Sequence, residues 1–116
     1  MKALGHHLLI EYHGCDAKRL ASKRQVRDAM VKAARHAGAT IVAEVFHKFS
    51  PHGVSGVVVI AESHVAVHTW PEHRFAAVDV FSCSDRLRRK VIRDLLRKSF
   101  HARRVSSREI QRGRLG

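Results

Sequence analysis

Cysteine, proline and aromatic residues are scarce in this chain of 116 residues, which holds two Cys, two Pro, one Trp and one Tyr. Cys15 and Cys83 supply neither zinc spacing nor a disulfide framework, so a reduced, cytosolic setting is the default. No run of about eighteen apolar residues exists, and no segment is expected to span a membrane as a helix. The opening Met1-Lys2-Ala3-Leu4-Gly5-His6-His7 lacks the apolar core and cleavage site of a signal peptide. The seven glycines form no phosphate-cradling loop.

Acidic residues are scarce too: ten Asp and Glu face 22 Lys and Arg, for a formal net charge of +12 and a pI of about 11.1. Beyond Ser84 lie twelve of those cations with only Asp85, Asp94 and Glu109; the first 83 residues hold ten against seven acids. Such an excess suits nucleic acid, an anionic surface or plain solvation. A basic nucleic-acid-binding module built on the last helix and tail is one reading. The apolar fraction of 45% over residues 1–116 is that of a single globular domain.

What is present is β-branched alternation interrupted by two amphipathic stretches. Strands are expected at 3–13, 39–49, 54–60, 65–70 and 75–83, with a short last strand at 102–109 and a basic tail beyond it. Helices are expected from about Lys18 to Ala37, stopped by Gly38, and from a Ser84 N-cap to Phe100. The order β-α-β-β-β-β-α-β, with short turns between successive strands, implies an α+β fold. It is a two-layer α/β sandwich, an antiparallel sheet with two helices on one face. The run Val57-Val58-Val59-Ile60 is apolar on both strand faces, and exposing it invites association. That points to a homodimer packed through its sheets.

Ala61-Glu62-Ser63-His64 sits between two such strands. With the turn near residue 62, Ser55 or Gly56 lies opposite His68 or Thr69, so Ser55 and His68 are cross-strand neighbours or near-neighbours. They either form a hydroxyl–imidazole pair or merely decorate a sheet face. Ser63 is about 16 Å from His68 along a straight strand at ~3.3 Å per residue. Either that segment folds back or its partner comes from a second protomer; otherwise Ser63 is an ordinary turn serine. His64 and His68 share a face about 13 Å apart, too far for one metal, while His6 and His7 point to opposite faces. No metal-ligand set is apparent. Cys83, at a strand end before a helix, reads as an acid or nucleophile, or as a small buried hydrophobe. Cys15 reads as structural, and Asp79 as a solvent-facing or paired strand acid.

Several motifs taken together are specific. They are Met1-Lys2-Ala3-Leu4-Gly5-His6-His7-Leu8, Gly38-Ala39-Thr40-Ile41-Val42, Gly53-Val54-Ser55-Gly56-Val57-Val58-Val59-Ile60, Glu62-Ser63-His64, His68-Thr69-Trp70-Pro71-Glu72 and Phe81-Ser82-Cys83. In order and spacing the chain closely resembles the small prokaryotic S-adenosylmethionine decarboxylase proenzymes over about residues 1–110. The resemblance implies self-cleavage between Glu62 and Ser63, leaving a β chain of 1–62 and an α chain of 63–116 that begins with a pyruvoyl group made from Ser63. That group would take the substrate amine as a Schiff base and act as electron sink for decarboxylation.

By the same resemblance Ser55 and His68 serve processing, and Cys83 is the proton donor. Phe49 and Glu72 hold the nucleoside, and Trp70 helps to line the site. The product would be the aminopropyl donor for spermidine and other polyamines. The expected assembly is a cytoplasmic homodimer with shared active sites. Relatives with this processing motif also include pyruvoyl-dependent ornithine and arginine decarboxylases, and the strong basicity is not something the family requires.

Overall fold

The computed structural model describes residues 2–115. Six strands form one antiparallel sheet: β1 (Lys2–His13), β2 (Ile41–Lys48), β3 (Val54–Ile60), β4 (Ser63–Trp70), β5 (Phe75–Ser82) and β6 (Arg104–Leu115). Their spatial order is β2-β3-β4-β5-β1-β6. Three α-helices, α1 (Ala17–Ala21), α2 (Lys23–His36) and α3 (Arg89–Phe100), and a 3-10 turn at Pro71–His73 are the other elements among the described residues. The α+β sandwich and its element order are as expected from the sequence, with three differences of detail.

The first helix is broken in two. Ser22 adopts an extended conformation (φ −95°, ψ 111°), closing α1 and capping α2 through an Oγ that accepts from the Gln25 N–H. A serine competing for backbone donors favours a cap over a helix interior. The second helix starts late, at Arg89. Ser84 Oγ accepts from Arg86 N–H within a turn, and Arg88 N–H donates to the Ala37 carbonyl at the end of α2. Finally, β6 is long. It pairs with β1 from His13↔Arg104 to Lys2↔Leu115, so the supposed tail is strand, with Gly113 at φ +66°, a conformation glycine adopts without steric cost.

Strand periodicity sorts the side chains. Leu8, Ile10, Tyr12, Val58, Ile60, Val65, Val67, Ala76, Val78 and Val80 are buried and share one face, matched by register such as Leu8↔Val80 and Val58↔Val65. Against them pack Leu20 of α1, Val26, Met30, Ala33 and Ala34 of α2, and Ile92, Leu96 and Phe100 of α3. Thr69 and Ser82 are buried polar residues among the described ones; Thr69 Oγ1 donates to the Leu20 carbonyl at 2.8 Å and accepts from Val54 N–H at 2.9 Å, tying α1 to two strands. The other face carries Leu9, Val45, Val59, Trp70 and Ile110, all exposed, together with the polar groups of the site. No helix among the described residues is long and apolar enough to cross a membrane.

Candidate active site

The hairpin of β3 and β4 turns through two residues, Ala61 and Glu62, because Ile60 pairs with Ser63. That register puts Ser55 opposite His68. Both face away from the helices, and Ser55 Oγ lies 2.8 Å from His68 Nδ1. The alternation of the strands therefore delivers the hydroxyl–imidazole pair anticipated from the sequence.

The turn is held from two directions. Ala61 N–H donates to the Thr40 carbonyl at 2.8 Å, and Thr40 N–H donates to Glu62 Oε1 at 3.2 Å. On the other side, the Glu62 carbonyl accepts from Cys83 N–H at 3.0 Å and from Cys83 Sγ at 3.2 Å. Two donors on one carbonyl polarise it and suit the negative charge that develops when a nucleophile adds there. Ser63, whose hydroxyl belongs to the next residue, has φ 153°. In this region a Cβ is disfavoured, and a non-glycine residue stores strain.

The expected site residues gather at two ends of the sheet. Glu62, Ser63 and Cys83 lie at one end. Ser55, His68 and Trp70 lie at the other, where the His68 and Trp70 rings are 6.4 Å apart and Trp70 is 5.5 Å from Phe75. Phe49 follows β2 at this second end, half exposed and against His47 at 4.6 Å. Glu72 is exposed on the 3-10 turn that follows β4. Since β4 is continuous from Ser63 to Trp70, no fold-back brings Ser63 to His68, and about 16 Å of strand separates them.

Sequence reading missed a further cluster beside Ser63. Asp79 Oδ2 receives His7 Nε2 at 2.9 Å and His64 Nε2 at 3.0 Å. The sequence left Asp79 either solvent-facing or paired; it is paired, and which side chains it gathers depends on β1 lying beside β5. His7, His64 and Asp79 place one ligand atom each within 4.8 Å of one another, a spacing a metal ion could use. Arg112 Nη1, however, stands 2.9 Å from His7 Nδ1. A guanidinium only donates, so Nδ1 accepts and the His7 proton sits on Nε2, where it faces Asp79. That proton occupies the lone pair a metal would need. His6, as alternation requires, points to the other face, with its Nε2 3.7 Å from Asp85.

The two cysteines differ. Cys83 is exposed at the junction, whereas Cys15 is buried and unpaired; burial pushes its thiol up to about 11. Only Cys83 is chemically available.

The model of the S-adenosylmethionine decarboxylase family matches residues 6–113. Among curated relatives, the S-adenosylmethionine decarboxylase proenzyme of Moorella thermoacetica is 52% identical over 113 residues, 97% of this chain and 90% of that protein. The corresponding proenzyme of Acidithiobacillus ferrooxidans is 47% identical over 115 residues, covering 99% and 86%. The crystal structure of the adenosylmethionine decarboxylase from Aquifex aeolicus superposes with a TM-score of 0.91 at 33% identity, covering 100% of this chain and 96% of that one. The Trypanosoma brucei AdoMetDC-delta26 monomer, at 18% identity and a TM-score of 0.61 over 88% of this chain and 44% of that one, shares the fold. This chain belongs to the S-adenosylmethionine decarboxylase family.

Proposed function

We propose that the protein is a self-cleaving, pyruvoyl-dependent decarboxylase of S-adenosylmethionine, a cytoplasmic homodimer supplying the aminopropyl donor for polyamine synthesis. The observation that carries this reading is the doubly hydrogen-bonded Glu62 carbonyl beside a strained Ser63. Addition of Ser63 Oγ to that carbonyl carbon forms a C–O bond. The C–N bond then breaks, and the hydroxyl proton passes to the freed nitrogen. Cys83 N–H and S–H steady the oxyanion in between. Loss of the Ser63 Cα proton with cleavage of Cβ–Oγ releases the Glu62 carboxylate. Tautomerisation and one water then give a terminal ketoacyl group and ammonia.

The residues present fit such a group: its precursor lies at a turn, with an exposed thiol hydrogen-bonded to the neighbouring carbonyl. The pyruvoyl carbonyl, once made, supplies an electrophile for the substrate amine and a sink for the electrons of the departing carboxylate. Cys83 returns a proton to the substrate carbon. Ser55 and His68 move protons during processing, and they do so in the partner's site, since their own Ser63 is out of reach. Two protomers packed open face to open face, with strands reversed, would set each Ser63 against the other chain's Ser55–His68 pair. They would also cover Leu9, Val59 and Ile110. Phe49 and Trp70 offer ring faces for a purine, and Glu72 a carboxylate for ribose hydroxyls.

Intact mass under denaturing conditions tests the cleavage. Wild-type protein should appear as two pieces split after residue 62, the second blocked at its N-terminus, and Ser63→Ala should give one chain of 13.1 kDa. A wild type that stays uncut would remove the cofactor and the proposed activity. Carbon dioxide release from S-adenosylmethionine, ornithine and arginine, assayed in parallel, decides the substrate.

A further inference from the structure

We propose that Arg112, His7, Asp79 and His64 form one positioning line that holds Ser63 in its strained, cleavage-competent conformation; this role rests on the processing reading above. The four residues lie on adjacent strands, β6, β1, β5 and β4, so their hydrogen bonds run across the sheet. Arg112 Nη1 donates to His7 Nδ1 at 2.9 Å, and His7 Nε2–H donates to Asp79 Oδ2 at 2.9 Å. His64 Nε2 meets the same oxygen at 3.0 Å. The Phe81 ring braces the line, with the His7 ring at 5.3 Å, the His64 ring at 5.9 Å and the Arg112 guanidinium carbon at 5.8 Å from its centre.

The line ends at the residue joined to Ser63. On the far side of Ser63, Cys83 grips the Glu62 carbonyl. Ser63 is thus flanked by two fixed residues, and a φ of 153° cannot relax by swinging either neighbour. Strain of this kind persists only where the surroundings over-determine it. Releasing His64 lets the backbone relax toward ordinary strand geometry and turns the Glu62 carbonyl away from its donors. The polarity of the line is fixed at its start, since the guanidinium has no acceptor and dictates the His7 tautomer.

The test combines kinetics with spectroscopy on the full chain. In freshly refolded protein, Asp79→Asn should slow self-cleavage roughly tenfold or more, the effect of losing about 1.4 kcal/mol of stored strain. Arg112→Leu should slow it comparably, while Arg112→Lys, which keeps a donor for His7 Nδ1, should restore the rate to within about twofold. Because the groups act as a unit, the Asp79→Asn/Arg112→Leu double variant should be no slower than the slower single one. In the uncut Ser63→Ala protein, imidazole nitrogen NMR should find the His7 proton on Nε2, and Arg112→Leu should loosen that preference. Cleavage of folded Asp79→Asn at the wild-type rate, or a His7 proton on Nδ1, would overturn the proposal. An uncut wild type would overturn the processing reading together with this role, whereas a cut wild type with an indifferent Asp79→Asn would overturn this role alone.

Discussion

Cys15 and Cys83 carry the same thiol in opposite surroundings. Cys15 is buried in the core, where desolvation penalises the thiolate and pushes its titration from an ordinary 9.0 up to about 11. Cys83 is exposed. Brief iodoacetamide treatment of the native protein at pH 8 should therefore alkylate Cys83 and spare Cys15, read by peptide mass. Cys15 also carries a linkage effect. Its folded pKa lies above the unfolded one, so between about pH 9 and 11 the unfolded thiol ionises first and stability falls as pH rises. A Cys15→Ala variant should lose that part of the alkaline slope in denaturant titrations. The pairing of Ser55 with His68 was legible in the sequence because it needs only a turn and a two-residue period. The line through Asp79 was not, because β1 and β5 are far apart in the chain and their adjacency is a property of the whole sheet.

Element boundaries show where local signals compete. Lys18 to Ala37 has helical periodicity throughout, and the buried Leu20, Val26, Met30 and Ala34 honour it. Yet Ser22 stops one helix and starts the next, since its hydroxyl finds the Gln25 N–H more readily as a cap than within a helix. Ser22→Ala should destabilise the protein by about 1 kcal/mol in chemical denaturation. A thermal or urea midpoint that does not move would show the break to be imposed by packing instead. Ser84 misled in the other sense: it looks like a helix cap but caps a turn, and the first turn of α3 is set by Ala37 across the chain. The last strand was underestimated because its own burial pattern is almost wholly exposed. Its existence is dictated by β1, whose free edge it covers.

At the scale of the molecule, the length of the sheet separates the groups that must cooperate. Ser63 and Cys83 stand at one end, Ser55 and His68 at the other, on strands that run straight between them. A shared dimer site predicts complementation. Ser63→Ala and His68→Ala chains, each uncut or nearly so alone, should on co-refolding yield cleavage of the His68→Ala chain. Roughly half of it should be cut, since random pairing of equal amounts makes half the dimers mixed. Intact mass reads the result, and no gain over the separate proteins would place both halves of the site within one protomer. The basic last third is distributed over α3 and β6, and it contributes Arg112 to the line that runs through His7 and Asp79.

The strand order has one more consequence. A cut between β3 and β4 would leave one piece holding β1, β2 and β3 and the other holding β4, β5 and β6. In space these alternate: β4 and β5 lie between β3 and β1, and β1 lies between β5 and β6. The two pieces are woven rather than stacked, with three shared seams, β3–β4, β5–β1 and β1–β6, each a full antiparallel ladder. Nicking the turn severs a thread and leaves the cloth whole. A protein built this way can spend a peptide bond to make its own cofactor without loosening the frame that must then use it.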